Sequence, residues 1–262
     1  MERIDDYAVL SPLLSQQLRR GVYTNHFMAP QDYPAALAEG LAVEVFDGGL
    51  WISRDRGDHV LLTFYLQQGA ALPMPHCAKR AVTEVVWREG REAEAREALT
   101  QLEELGWRRL FERCRRLRPA APSEGVGWES TAPPEAVLDF LGEHFDPLTG
   151  CLPSLERLRQ QCRAGEVVTL GEGEQLWGVL HFQPGRTGSE IRHLAVAASH
   201  RGRGVATALL EEYLRRTGGA KSLVWARAGN APAEAFYESR GYRRDGWRSA
   251  VLTVDGKDET NL

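Results

Sequence analysis

Apolar positions recur at helical spacing over Tyr7 to Arg20 and, more briefly, over Tyr33 to Glu39. Leu41 to Phe46, Leu50 to Arg54 and Val60 to Leu66 instead read as strands, separated by the turn residues Asp47-Gly48-Gly49 and Arg56-Gly57-Asp58. Residues 67–80, with Pro73 and Pro75, form a loop. Val82 to Trp87 follows as a strand, Arg91 to Leu105 as a charged amphipathic helix and Arg108 to Leu117 as a strand. A stretch with two prolines, two glycines and no periodicity then separates the halves, which predicts a linker over residues 119–127.

The second half is patterned more clearly. A short strand near Trp128 leads to a helix over Pro134 to Phe145, and Ser154 caps a further helix that Ala164-Gly165 ends. Glu166 to Leu170, Leu176 to Phe182 and Ile191 to Val196 are strands, and Val205 to Arg216 is a helix closed by Gly218-Gly219. Ser222 to Ala226, a helix from Pro232 to Arg240, and a strand over Ala250 to Val254 complete the order β-α-α-β-β-β-α-β-α-β. That order is neither a dinucleotide-fold alternation nor a sandwich. It predicts an α/β fold of the α+β kind, with helices packed on a mixed sheet.

Composition narrows the function classes. The 262 residues are 43% hydrophobic and 26% charged, within the globular range and long enough for two domains. We expect an α+β domain over 1–118, the linker, and a second domain over 128–262. The net charge of −4 is spread evenly over both halves, so the basic footprint of a nucleic-acid binder is missing. No apolar stretch is long enough for a membrane span and the start carries no export pattern, which predicts a cytoplasmic protein without a membrane partner. Cys77, Cys114, Cys151 and Cys162 form no ligand spacing, so we expect reduced thiols and no metal.

The informative stretch is Leu194-Ala195-Val196, a turn, then His200-Arg201-Gly202-Arg203-Gly204-Val205-Ala206-Thr207. An apolar strand enters a glycine turn that opens an amphipathic helix. Unpaired N–H groups and the positive end of the helix then favour an anion at one point. Arg201 and Arg203 add charge, and Gly202 and Gly204 allow close approach. The segment lacks the third glycine of a dinucleotide fingerprint and the Gly-Lys-Ser/Thr of a Walker loop.

These residues resemble the GNAT acetyltransferase superfamily. Arg201 to Ala206 fits its pattern Gln/Arg-x-x-Gly-x-Gly/Ala, and Asn230, Ala233, Phe236, Tyr237, Gly241 and Tyr242 fit Asn-x-x-Ala-x-x-Phe/Leu-Tyr-x-x-x-Gly-Phe/Tyr in the right order. The resemblance spans residues 128 to 255. It implies acetyl-CoA as co-substrate, an amine of a small molecule or peptide as acceptor, and direct transfer in a ternary complex. By position, Leu194, Ala195 and Val196 would lie along pantetheine, with the Val196 N–H facing the thioester oxygen. Residues 201–207 (Arg201, Gly202, Arg203, Gly204, Val205, Ala206 and Thr207) would hold the pyrophosphate. Asn230 would contact pantetheine, and Tyr237 would donate a proton to the departing thiolate.

The general base is less plain. Many relatives carry a glutamate four residues before the strand-ending valine, where this chain has Arg192. Glu190 shares the Arg192 face by strand alternation and His193 takes the other, with His181 as a third option. The missing glutamate keeps a non-catalytic acyl-CoA sensor open beside the enzyme. A tandem-GNAT aminoacyl or peptidyl transferase is a further alternative, and a homodimer stays open. Val85-Val86-Trp87, a helix and Leu105-Gly106-Trp107 echo Leu223-Val224-Trp225, a helix and Arg240-Gly241-Tyr242, so the first half reads as a degenerate copy or as an unrelated α+β domain. The arginines from Arg108 to Arg118 read as a salt-bridge face against the acidic helix before them.

Overall fold

The computed structural model describes residues 1–28, 30–123, 127–172 and 175–256. In chain order the elements are β1 (Glu2–Ile4), α1 (Tyr7–Gln17), β2 (Val22–Thr24), α2 (Tyr33–Gly40), β3 (Leu41–Phe46), β4 (Gly49–Asp55), β5 (His59–Gln67), β6 (Arg80–Arg88), α3 (Ala93–Glu104) and β7 (Arg108–Arg118). They continue as α4 (Pro134–His144), α5 (Leu155–Arg163), β8 (Val167–Glu172), β9 (Gln175–Gly185), β10 (Gly188–Val196), α6 (Val205–Arg216), β11 (Ser222–Arg227), α7 (Ala231–Ser239) and β12 (Arg243–Val254). Among the described residues no helix is long and apolar enough to cross a membrane.

Two compact units emerge, one of Met1–Arg113 together with the residues from Gly246 onward, the other of Cys114–Asp245. The division falls inside two strands: β7 up to Arg113 and β12 from Gly246 belong to the first unit, and the rest of each to the second. In the first unit the strands run β1-β3-β4-β5-β6-β12, and β12 pairs antiparallel with β6 from Trp247↔Arg88 to Val254↔Ala81. In the second they run β7-β11-β10-β9-β8. The expected division at 118 and 128 differs from these units at the final strand, whose tail falls in the first unit. The expected linker lies partly outside the described residues.

The strands of each unit bury both faces, as period-2 strands between helices must. In the first unit, Leu10, Tyr33, Leu41, Leu50 and Ile52 pack beneath α1 and α2, while Trp51, Phe64, Leu102, Trp107 and Leu252 pack beneath α3. In the second, Val137, Leu141, Leu158, Val179 and Ala195 gather on the α4–α5 face, and Leu180, Ile191, Leu209, Tyr213 and Tyr242 on the α6–α7 face. Gly178 of β9 lets α6 sit close: a Cβ there would stand 2.9 Å from both Val205 and Leu209.

Among the described residues no strand forms near Trp128. The chain there is instead an arm held by side chains: Trp128 Nε1 donates to the Thr169 carbonyl at 2.9 Å, and Ser130 Oγ accepts the Thr169 N–H at 3.0 Å. Arg216 of α6 donates to the Trp128 carbonyl and to Ser130 Oγ, each at 3.0 Å, which does the anchoring a ladder would have done. The arginines of β7 also differ from expectation. Arg109 reaches α3, at Glu103, whereas Arg113 pairs with Glu84, Arg115 with Asp245 and Arg116 with Glu238.

Candidate active site

The site begins with one extra residue in β10. Antiparallel pairing with β9 runs Ile191↔Phe182 and then His193↔His181, leaving Arg192 as a bulge. The backbone shows its effect. The Ser189 N–H donates toward β11, to the Lys221 carbonyl at 2.8 Å, whereas the Ala197 N–H donates toward β9, to the Trp177 carbonyl at 2.8 Å. Residues eight apart in a regular strand would point the same way. After the bulge the Val196 N–H, one residue before Ala197, points to the β11 side.

On that side nothing from β11 meets it. The parallel pairing of β10 with β11 covers Ser189↔Ser222, Glu190↔Leu223 and Ile191↔Val224 and then stops. The strands part at the bulge, and Leu194 and Val196 line the opening. Its closed end is pinned by buried hydroxyls: Ser189 Oγ lies 2.5 Å from Tyr213 Oη, which donates to Ser222 Oγ at 2.7 Å, and Ser222 Oγ lies 2.6 Å from Tyr242 Oη.

Helix α6 starts beside the end of β10. Gly202 and Gly204 adopt φ of 74° and 85°, the left-handed region that suits glycine, and a Cβ on either would meet open space. No side chain caps α6, and its first bond runs from the Ala208 N–H to the Gly204 carbonyl at 3.0 Å. The N–H groups of Val205, Ala206 and Thr207 therefore have no helical acceptor. Arg201 and Arg203 are exposed beside them, and Arg201 Nε donates to the Val196 carbonyl at 3.2 Å. Arg240 adds a third guanidinium, donating to Thr207 Oγ1 at 2.7 Å. The concave amides, the dipole and three cations form an anion cradle.

Helix α7 supplies Tyr237. The ring is buried in the same apolar cluster that Leu194 and Val196 pack against, with the Tyr242 ring centroid 5.2 Å away. Burial drives its hydroxyl pKa far above the ordinary value, with Tyr242 and Tyr213 adding to the effect, so the phenol keeps its proton.

Residues 135–242 match the acetyltransferase (GNAT) family. This segment is a GNAT-family domain. A GCN5-related N-acetyltransferase from Sphaerobacter thermophilus is similar in fold, with TM-score 0.57, 15% identity, and 82% of this chain and 80% of that one covered. A GNAT-family acetyltransferase from Colwellia psychrerythraea gives 0.54 at 13% identity over 98% and 99% of the two chains. A tandem GNAT protein from the clavulanic acid biosynthesis pathway gives 0.56 at 12% identity over 97% and 94%. The likeness in fold thus extends through the first half. A search of curated proteins found no match. The family supports acyl transfer as the general chemistry.

Within the GNAT domain the predicted residues divide. The cradle residues and the Leu194–Val196 edge lie together, with Tyr237 in the adjoining cluster. Asn230 caps α7 instead, its Oδ1 accepting the Ala233 N–H at 3.3 Å. The base candidates depart from the expected faces. Ser189 reaches Tyr213 of α6, so Glu190 faces α4 and α5. The bulge puts His193 on that same face, where its ring meets Phe145 edge-on at 4.8 Å. Simple alternation had set Glu190 and His193 apart; the inserted Arg192 brings them together.

His193 has no nitrogen to spare. Its Nε2 donates to the Gly150 carbonyl at 2.7 Å, so its Nδ1 accepts from His181 Nδ1 at 3.0 Å. Burial, reinforced by His193 and the charges of Arg192 and Arg157, lowers the His181 pKa to about 3. Glu190 keeps solvent access but accepts from Arg192 Nη1 at 2.8 Å. Sequence reasoning missed Arg240, whose reach to α6 crosses 33 residues, and set Arg116 against the acidic helix before it, whereas its guanidinium is wholly buried against α7. Neither position carries a local signal. Among the described residues no cluster of three His, Cys, Asp or Glu side chains suits a metal.

Proposed function

We propose that the GNAT domain binds acetyl-CoA in the opening between β10 and β11 and moves the acetyl group directly to an amine, in a ternary complex. The observation that carries this reading is the pairing of a splayed strand edge with an uncapped helix N-terminus at its mouth. The residues fit the group. The cradle of residues 201–207 suits a pyrophosphate, and Gly202 and Gly204 leave it the space a Cβ would take. The polar edge at Leu194 and Val196 suits an amide-bearing arm added like a strand.

Bound acetyl-CoA would supply an activated thioester. The Val196 N–H, directed into the opening, is placed to stabilise negative charge on an oxygen there. Tyr237 Oη holds a proton that it can donate to a leaving group. Glu190 is the one base candidate of the three with solvent access, and Arg192 holds its carboxylate in place.

A second reading, an acyl-CoA-binding sensor, is favoured by the engagement of the base candidates: Glu190 is tied to Arg192 and His193 to Gly150. One experiment separates the two. The full chain is titrated with acetyl-CoA and then offered a panel of polyamines, amino sugars and peptide N-termini while free CoA thiol is measured. The enzyme reading expects thiol release above the amine-free rate with at least one class, and the sensor reading expects binding alone. Gly204→Glu sets a carboxylate against the cradle and should abolish both signals. Wild-type protein that binds no acetyl-CoA would sink both readings.

A further inference from the structure

The first unit repeats the splay and fills it. There β5 and β6 run parallel, paired from His59↔Arg80 to Leu62↔Thr83, and then separate. Residues Thr63–Gln67 of β5 should present the same unpaired edge as Leu194–Val196. They do not, because β2 occupies the gap. It pairs antiparallel with β5 through Val22↔Gln67, Tyr23↔Leu66 and Thr24↔Tyr65.

The residues that follow continue the occupation. The Asn25 N–H donates to the Phe64 carbonyl at 3.4 Å, and Asn25 Oδ1 accepts the Phe64 N–H at 2.7 Å. Asn25 Nδ2 then crosses to β6, donating to the Glu84 carbonyl at 2.8 Å and to Thr83 Oγ1 at 3.1 Å. Tyr23 Oη also reaches β6, donating to the Val86 carbonyl and accepting the Val86 N–H, both at 2.9 Å. His26 closes the end, with its ring nitrogens 2.8 Å from Thr63 Oγ1 and from Tyr33 Oη. The segment thus satisfies β5 with main chain and β6 with side chains. That is strand addition carried out within one chain.

The anion cradle is lost in the same manner. Residues 68–79, which link β5 to β6, contain no helix. Their amides face acceptors instead: the Gly69 N–H donates to Glu97 at 3.2 Å, the Leu72 N–H to Gln101 Oε1 at 2.6 Å and the His76 N–H to Glu44 at 3.0 Å. Two carboxylates stand where a phosphate would need donors.

We infer that the donor cleft of the GNAT-like first unit is permanently occupied by its own segment Val22–His26, so the chain takes up one acyl-CoA and the first unit takes up none. The occupant of this cleft is a peptide strand, and no small-molecule thioester competes for it. The stoichiometry rests on the proposed acetyl-CoA reading of the second unit; the occupation of the cleft does not.

Two measurements test it on the full chain. Calorimetric titration with acetyl-CoA should give one equivalent per chain, falling to none in Gly204→Glu. Two equivalents, or binding that survives in Gly204→Glu, would overturn the inference. Amide hydrogen exchange on the ligand-free protein supplies the independent arm. Tyr23→Phe removes only the hydroxyl, so the Val86 amide should exchange at least about tenfold faster while Phe64 stays protected. Asn25→Ala should release Phe64 in its turn. Equal Val86 rates in wild type and Tyr23→Phe would show that the segment is not seated across the cleft. If no acetyl-CoA binds at all, the proposed function falls, and the exchange pattern still decides the occupation.

Discussion

The guanidinium of Arg116, with no exposed surface on β7, donates to Glu238 at 2.9 Å, and Glu234, one turn earlier on α7, lies 3.5 Å from it. Tyr237 is the one buried side chain of α7. Apolar packing holds this helix through Tyr237, with Ala233 and Phe236 half-buried beside it, and the Arg116 ion pairs supply a polar hold. Its Nε and Nη2 have no hydrogen-bond partner, so the arginine depends heavily on these carboxylates. Removing both, in Glu234→Gln/Glu238→Gln, strands a buried cation and should lower Tm by about 10 °C. Arg116→Met removes the buried charge itself and should cost much less. Calorimetric melts of the three proteins check the order; Arg116→Met melting below the double glutamine variant would refute it.

Tyr237→Phe deletes the hydroxyl without opening the cluster around Tyr242 and Tyr213. A phenol kept protonated by burial acts as an acid, so turnover should fall on the order of 100-fold, at the low end for general acid catalysis. Acetyl-CoA affinity should be unchanged. Steady-state rates beside a binding isotherm decide this, and wild-type turnover would remove Tyr237 from the reaction.

The buried His181 pairs with His193 and titrates at about 3 rather than the ordinary 6.5. Its folded pKa lies below the unfolded one, so the neutral pair's stabilisation is fully present above about pH 6.5. That contribution is lost progressively as pH falls toward 3. Imidazole resonances of His181 should stay fixed from pH 8 to 5 in NMR spectra, and Tm should decline below pH 6.5. A His181 titration near pH 6.5 would show that the ring is not sealed.

The elements that position the cradle were legible from local pattern. Val205 to Arg216 has helical spacing and glycines at both ends, and α6 has those bounds. The Ser154 cap of α5 was equally plain, since its hydroxyl accepts the Arg157 N–H at 3.3 Å. What stayed hidden is non-local or a single residue long. Burial still alternates through Ile191, Arg192 and His193, so periodicity gives no sign of the bulge that flips the strand face. The three residues of β2 are too few to show a period, and their role depends on two strands about 40 and 60 positions downstream. Trp128 has a strand-like neighbourhood but no ladder, because Arg216 took over its hydrogen bonds.

The place of β12 in the first unit gives the final prediction. Eight residues of β12 pair with β6, and Ala250, Leu252 and Val254 are buried in the first-unit cluster with Trp51 and Phe64. A chain ending at Asp245 keeps every residue of the second unit yet exposes that cluster and an open β6 edge. Each large buried side chain contributes about 1.5–3 kcal/mol. Loss of Leu252 and Val254 alone then removes much of a typical domain's 5–15 kcal/mol. The truncated chain should therefore lose exchange protection first in β5 and β6, within the first half, while α6 and β10 stay protected. Exchange mapped by mass spectrometry after truncation provides the check. Unchanged protection in β6 would mean that β12 is dispensable to the first unit, and loss confined to α7 and β11 would place the strand with the second.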